Sequence, residues 1–153
     1  MGGIFYNIGN FDKTISYTGL ALDIAVKENY LDYISTLYNN YAGAFCELNQ
    51  YDSALKYARV AIPYATQDRS NSRLIYAYST LGEIHLDLNN CDSAKQIIEK
   101  ALVLGTGGDS HAETFLNYDL AEAHWCKRDT AIALKTASYA LQLAIKYQSL
   151  PLK

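Results

Sequence analysis

The sequence predicts an all-α chain, an α-solenoid built from stacked antiparallel helix pairs, and three observations lead there. The phrase "LNQYDSALKYA" at 48–58 returns forty residues later as "LNNCDSAKQII" at 88–98. With Ala54 as an anchor, equivalent small residues stand at Thr14, Ala94 and Ala133, spaced 40, 40 and 39 residues apart. A fixed period of this length marks units that each bury the same face against a neighbour. Within a unit, apolar residues recur every three or four positions, the period of an amphipathic helix, and no stretch has the alternation of a strand.

The elements follow in order along the chain. A partial repeat covers about 1–28, where "IGNFDKTISYTGLALDIAVKEN" reads as the second helix of a pair, with "FDKT" matching "YDSA". Only about ten residues precede it, too few for a full first helix. Full repeats are expected over about 30–68, 70–107 and 109–147. The segments 37–61, 77–101 and 116–140 align without a gap. Their columns hold Tyr41, Leu81 and Leu120, then Ala42, Gly82 and Ala121, then Phe45, His85 and His124, and finally Ala61, Ala101 and Ala140.

Each unit is divided by a polar break, "LNQYD", "LNNCD" or "KRD", which marks a tight turn between two helices. Asp52, Asp92 and Asp129 are placed to cap the second helices, and Ser110-His111-Ala112-Glu113 reads as a capping box opening a first helix. Ala42, Gly82 and Ala121, facing Ala54, Ala94 and Ala133, permit close helix approach. Pro63 should kink or end its helix near 59–62. "GTGGDS" at 105–110 follows a helix, lacks the Lys-Ser/Thr of a phosphate loop and carries Asp109, so it reads as a helix stop and turn.

Composition narrows the function classes. Half the residues are hydrophobic and 19% are charged, which is a folded and not a disordered chain. Sixteen acidic against thirteen basic residues give a net charge of -3, with no electrostatic footprint for nucleic acid. The longest apolar runs fall short of a membrane span, and the start lacks the pattern of a signal peptide. Cys46, Cys91 and Cys126 are odd in number and unpaired in motif, so they are expected to be small buried or half-buried residues. A reducing, cytoplasmic setting is thereby favoured. His85 and His124 share a column with Phe45 and read as packing rings, not metal ligands. His111 and Glu113 form an H-x-E without the cysteine partner of zinc deaminases. No cofactor, metal or nucleophile–base pair is indicated, so an enzyme is not expected.

Tyr38, Tyr41, Ala42, Phe45, Tyr51, Ala54 and Ala61, and in the next unit Tyr78, Leu81, Gly82, Ala94 and Ala101, give a pattern that resembles the tetratricopeptide repeat. The resemblance covers nearly the whole chain. It is similar to the long-period variety found in bacterial regulators and sensors, since the unit exceeds the usual ~34 residues. The family's helix-ending Pro is replaced by Thr66 and Thr106, and Cys91 and Thr130 stand in place of its turn Tyr. The resemblance implies a right-handed superhelix whose first helices line a concave groove. Carried over, the groove positions are Thr36, Asn39, Gly43 and Cys46, then Tyr76, Ser79, Glu83 and Leu86, then Phe115, Tyr118, Glu122 and Trp125.

That groove would be aromatic and acidic toward its C-terminal half, while Lys56, Arg59, Lys95, Lys100 and Lys135 fall on second helices. Only Asn39 fits the basic pattern of a carboxylate clamp, so the expected partner is a peptide or protein with apolar and basic side chains, or another domain of the same protein. The expected function is a non-catalytic binding scaffold, as in the sensory or regulatory part of a signalling protein. The alternative is a self-association module, because neither end carries a polar cap and the chain reads as a fragment of a longer array.

Overall fold

The computed structural model describes residues 10–105 and 110–148, with the side chains of Ser110 and Gln148 left aside. Seven α-helices fill them: α1 (Phe11–Lys27), α2 (Leu31–Glu47), α3 (Tyr51–Gln67), α4 (Asn71–Asp87), α5 (Cys91–Val103), α6 (Ser110–Cys126) and α7 (Thr130–Gln148). No strand occurs among the described residues.

The period of the sequence has a local cause. Four of the first five helices, α1 to α4, are 17 residues long and are followed by a three-residue turn. Asn29, Asn49, Arg69 and Asn89 therefore fall 20 residues apart, each with a positive φ between 55° and 57°. The amide of Asn49 donates to Cys46 O at 2.8 Å and that of Gln50 to Phe45 O at 2.8 Å, closing the helix end with the paired bonds of a left-handed cap. The same pair recurs after α1, α4 and α6, where Arg128 takes the left-handed position. Asparagine tolerates this conformation because its short polar side chain bonds locally. Two turns of equal length per unit produce the forty-residue repeat.

Consecutive helices pack on one another along the whole row, and α2, α4 and α6 also touch in succession. Among the described residues, α3, α5 and α7 have no more than marginal contact with one another. The first helices thus form a continuous layer, and α1 packs on α2.

Small residues set the spacing. A methyl group added at Gly82 would lie 2.8 Å from Ile98 Cγ1, and one added at Gly19 would lie 2.5 Å from the Tyr41 hydroxyl. Ala42 and Ala58, at the equivalent places on α2 and α3, belong to one buried cluster. Bulk on one helix is matched by its absence on the other, alanine against alanine and glycine against isoleucine. Between α2 and α3 the rings of Tyr38, Tyr41, Phe45, Tyr57 and Tyr64 form a stacked series, with Tyr41 and Tyr57 centroids 4.9 Å apart. His85 and His124 occupy the column of Phe45. His124 is buried, its Nδ1 3.8 Å from the Asp129 carboxylate.

Four expectations are corrected. Asp52 and Asp92 do not cap: they lie in the first turns of α3 and α5, where Gln50 and Asn90 hold the cap positions without a side-chain bond. Their charge still favours the helix N-terminus. Pro63 does not end its helix, since α3 continues to Gln67. The ring is exposed, so the Arg59 carbonyl that loses its partner faces solvent and not the core. In the sequence read as a capping box, Ser110 is already helical and its side chain lies outside the described residues. Glu113 instead accepts hydrogen bonds from the hydroxyls of Tyr139 at 3.2 Å and Tyr147 at 3.1 Å. Gly105, with φ of 71°, ends the segment after α5 as expected, and the rest of "GTGGDS" up to 109 lies outside the described residues.

The fourth correction concerns the cysteines. Cys91, the first residue of α5, and Cys126, the last of α6, are disulfide-bonded with Cα atoms 5.6 Å apart. No motif spacing announces this, because the two sit 35 residues apart in different columns and meet only when α6 packs on α5. Lys127 and Asp92, one residue further along each, pair beside it. Only Cys46 is a free thiol, and the case for a reducing compartment loses its basis. Burial and the adjacent Asp87 carboxylate, to which Cys46 Sγ–H donates at 3.1 Å, push the Cys46 thiol far up, so little thiolate forms at neutral pH. Iodoacetamide is therefore expected to label the native chain slowly, and to label Cys91 and Cys126 readily once a reductant is added. Mass spectrometry of tryptic peptides reads this, and equal labelling of all three thiols without reductant would rule the crosslink out.

Candidate functional site: an acidic and aromatic row on the first helices

On α4, Tyr76, Ser79 and Glu83 are spaced for one face of a helix, and on α6 Phe115, Tyr118, Glu122 and Trp125 repeat that spacing. The structure brings most of these together. Ser79 Oγ donates to Asp119 Oδ2 at 3.2 Å and lies 3.5 Å from Glu83 Oε1. Tyr118 Oη donates to Glu122 Oε1 at 2.7 Å. Tyr76, Phe115, Tyr118 and Trp125 are all exposed. Trp125 stands at the far end of α6, beyond the cluster formed by the others.

Asp119 is the residue that the sequence reading missed. It is only 4% exposed, yet its carboxyl belongs to the acidic group. Burial raises its pKa to about 7, with further upward pressure from Glu83 and Glu122 and partial relief from the Ser79 hydrogen bond. Glu83 is also raised, chiefly by desolvation, against the lowering effect of Ser79. Desolvation and Glu83 together raise Tyr76. Glu47 and Asp87, on the ends of α2 and α4, add to the same negative field. The signal was present in the column itself: Asn40, Thr80 and Asp119 are polar at the same place in three units, one residue before a large apolar position.

That column explains a repeated contact between units. Asn39 Nδ2 donates to Thr80 Oγ1 at 3.1 Å and to Tyr76 O at 3.2 Å, and one unit on Ser79 bonds Asp119. Asn39 is thereby 2% exposed and joins α2 to α4, leaving no surface open to a ligand. Gly43 is half-buried on α2, as is Cys46, whose thiol is turned to Asp87. The row that can meet a partner is thus carried by α4 and α6, not by α2. At its C-terminal end Phe115 and Tyr118 also border an open crevice of about 350 Å³ against Ala137, Ala140, Leu141 and Ala144 of α7.

Among the described residues no group of His, Cys, Asp or Glu is arranged to hold a metal ion, and no helix is long and apolar enough to cross a membrane. No family model matches the chain, and no curated protein matches it in sequence. In three dimensions it is similar to the crystal structure of BtubC (BKLC) from P. vanneervenii, with a TM-score of 0.82 at 20% identity. That likeness covers 99% of this chain and 63% of the other, so this chain spans less than two thirds of its structural neighbour. At this identity the likeness establishes the all-α fold alone.

Proposed function

We propose that the chain is a tetratricopeptide-like, right-handed superhelix of antiparallel helix pairs that acts as a non-catalytic scaffold for a peptide or a neighbouring domain. The turns of three residues between helices in mutual contact support antiparallel pairing, and the layer formed by α2, α4 and α6 supports a groove on that side. One observation carries the binding reading. Exposed rings at Tyr76, Phe115 and Tyr118 share the row with the carboxyls of Glu83 and Glu122, which form no ion pair among the described residues, and with the buried carboxyl of Asp119. A segment with lysine or arginine beside apolar side chains would neutralise that charge and cover the rings. A regulatory or sensory setting, in which the ligand is another part of the same protein, fits the same chemistry.

The test is a labelled peptide of alternating lysine and leucine, titrated by fluorescence anisotropy. Replacing Tyr76 with Ala and both Glu83 and Glu122 with Gln is expected to weaken it by at least about tenfold, as removal of central aromatic and charged contacts does. The same triple variant should lose partners captured from a cell lysate. Unchanged affinity would remove these residues from any binding role.

A further inference from the structure

The disulfide closes a boundary between units that, one unit earlier, is closed without one. Cys91 is the first residue of α5 and Cys126 the last of α6. In the preceding unit the same places, the first residue of α3 and the last of α4, hold Tyr51 and Asp87. There the fastening is the hydrogen bond from Cys46 Sγ to Asp87 Oδ2, together with the buried cluster of Ala42, Ala54, Ala58, Leu81 and Ile84. At the later boundary the buried cluster is Ile75, Ala94, Ile98, Ala101, Leu116 and Ala123, and the Lys127–Asp92 ion pair stands one residue on from each cysteine. Apolar packing thus holds both boundaries, and the covalent bond is added to one of them. Its two residues are half-buried and lie outside the core cluster.

We propose that Cys91–Cys126 is a reversible redox site, opened by an external monothiol that attacks the sulfur of Cys126 and expels that of Cys91. The two sulfurs differ in the helix ends that carry them. Cys91 starts a helix, where the positive end of the macrodipole favours the negative charge that a departing thiolate acquires. Cys126 ends a helix, where the same charge is disfavoured. Nearby oxygens do not reverse this difference, because each sulfur faces one: Asn89 Oδ1 lies 3.3 Å from Cys126 Sγ, and Asn89 O lies 3.4 Å from Cys91 Sγ. Exchange runs faster when the better leaving group departs. In the first step the external thiolate forms an S–S bond to Cys126, and the electron pair of the broken bond goes to Cys91. A second thiolate then attacks the external sulfur of this mixed disulfide, so that Cys126 leaves as thiolate and the external thiol departs as its oxidised dimer. Two external thiols are oxidised, and the protons they lose pass through solvent to the two cysteines. Opening the bond frees the end of α6, which carries Trp125, from the start of α5. The ion pair and the buried cluster keep the two thiols close, so an external disulfide can restore the same bond. This site stands independently of the groove reading, since no ligand of the row enters its test.

The probe is reduced glutathione, added to the full native chain at pH 8, with samples taken at early times and quenched with N-ethylmaleimide. Tryptic cleavage after Lys95 and Lys100 puts Cys91 and Cys126 on different peptides for mass spectrometry. The glutathione adduct is expected on Cys126 at least about fivefold over Cys91. After full reduction, circular dichroism should show the helices retained. Amide hydrogen exchange should then quicken over 120–129 while staying unchanged over 31–67, and oxidised glutathione should restore the slow exchange. Adducts on Cys91 in equal or greater amount would overturn the direction of attack. Reaction only in denaturant, loss of the helices on reduction, or exchange at the end of α6 indifferent to reduction would overturn the redox site itself.

Discussion

Ile98→Ala is expected to cost about 3 kcal/mol of folding stability, within the 2–5 kcal/mol typical of a large aliphatic core residue cut to alanine. Ile98 is fully buried, and it shares a cluster with Ile75, Ala94, Ala101, Leu116 and Ala123, so its loss opens a void where α4, α5 and α6 meet. The companion change sharpens the test. Gly82→Ala places a methyl 2.8 Å from Ile98 Cγ1, which forces the isoleucine to move. Overpacking of this kind costs about 1–3 kcal/mol, offset by about 1 kcal/mol from the better helix propensity of alanine. In the double variant the added methyl enters the space that Ile98 vacates, reproducing the Ala42–Ala58 arrangement one unit earlier. The two changes together should then cost about 1–2 kcal/mol less than their sum. Urea denaturation of the four proteins measures this, and strict additivity would refute the matched-bulk account of the repeat.

Asp119→Asn is expected to stabilise the fold at pH 8 and to do little at or below about pH 4. Folded Asp119 keeps its proton up to about pH 7 because burial penalises the charge, whereas in the unfolded chain it ionises near pH 4. Between those limits the folded state binds more protons. Its contribution is therefore fully present below about pH 4 and is lost as the pH rises through 7. A displacement of this size corresponds to about 2–4 kcal/mol, and Glu83, raised for the same reason, acts in the same direction. Asparagine keeps the shape and can still accept from Ser79. The melting temperature at pH 8 should rise by about 4–8 °C, and the parent's decline between pH 5 and 8 should flatten. Identical pH profiles for parent and variant would show that Asp119 is not the titrating group. The same protonation predicts that a basic peptide binds the parent more weakly at pH 6 than at pH 8, so the variant gains stability where it loses charge for a ligand.

The helices were legible in the sequence because each is specified locally. A 3.6-residue apolar period runs between polar breaks, and Asn49 and Asn89 in those breaks can adopt the left-handed turn without help from elsewhere. The packing columns were legible for the same reason, since Gly82 and Ala54 are small in every context. The end of a helix was less so: Pro63 reads as a break until its ring is known to face solvent. Within the candidate site, Glu83, Phe115, Tyr118 and Glu122 come from the groove positions that the family resemblance implies, placed by the repeat register. Asn39 was assigned to the same row and is instead enclosed by α4.

What the sequence determined by itself is therefore the repeating unit: its length, its two helices and the face that each buries. These depend on residues within a few turns of one another. Tertiary structure decided everything that needs two units at once. It joined Cys91 to Cys126 and closed Asn39 against Thr80. It put Asp119 under a shell that holds its proton, and it left Leu134 and Leu141 bare where Leu55 and Ile62 are covered. The two faces are almost the same in sequence, and among the described residues only that of α3 has a following helix packed on it.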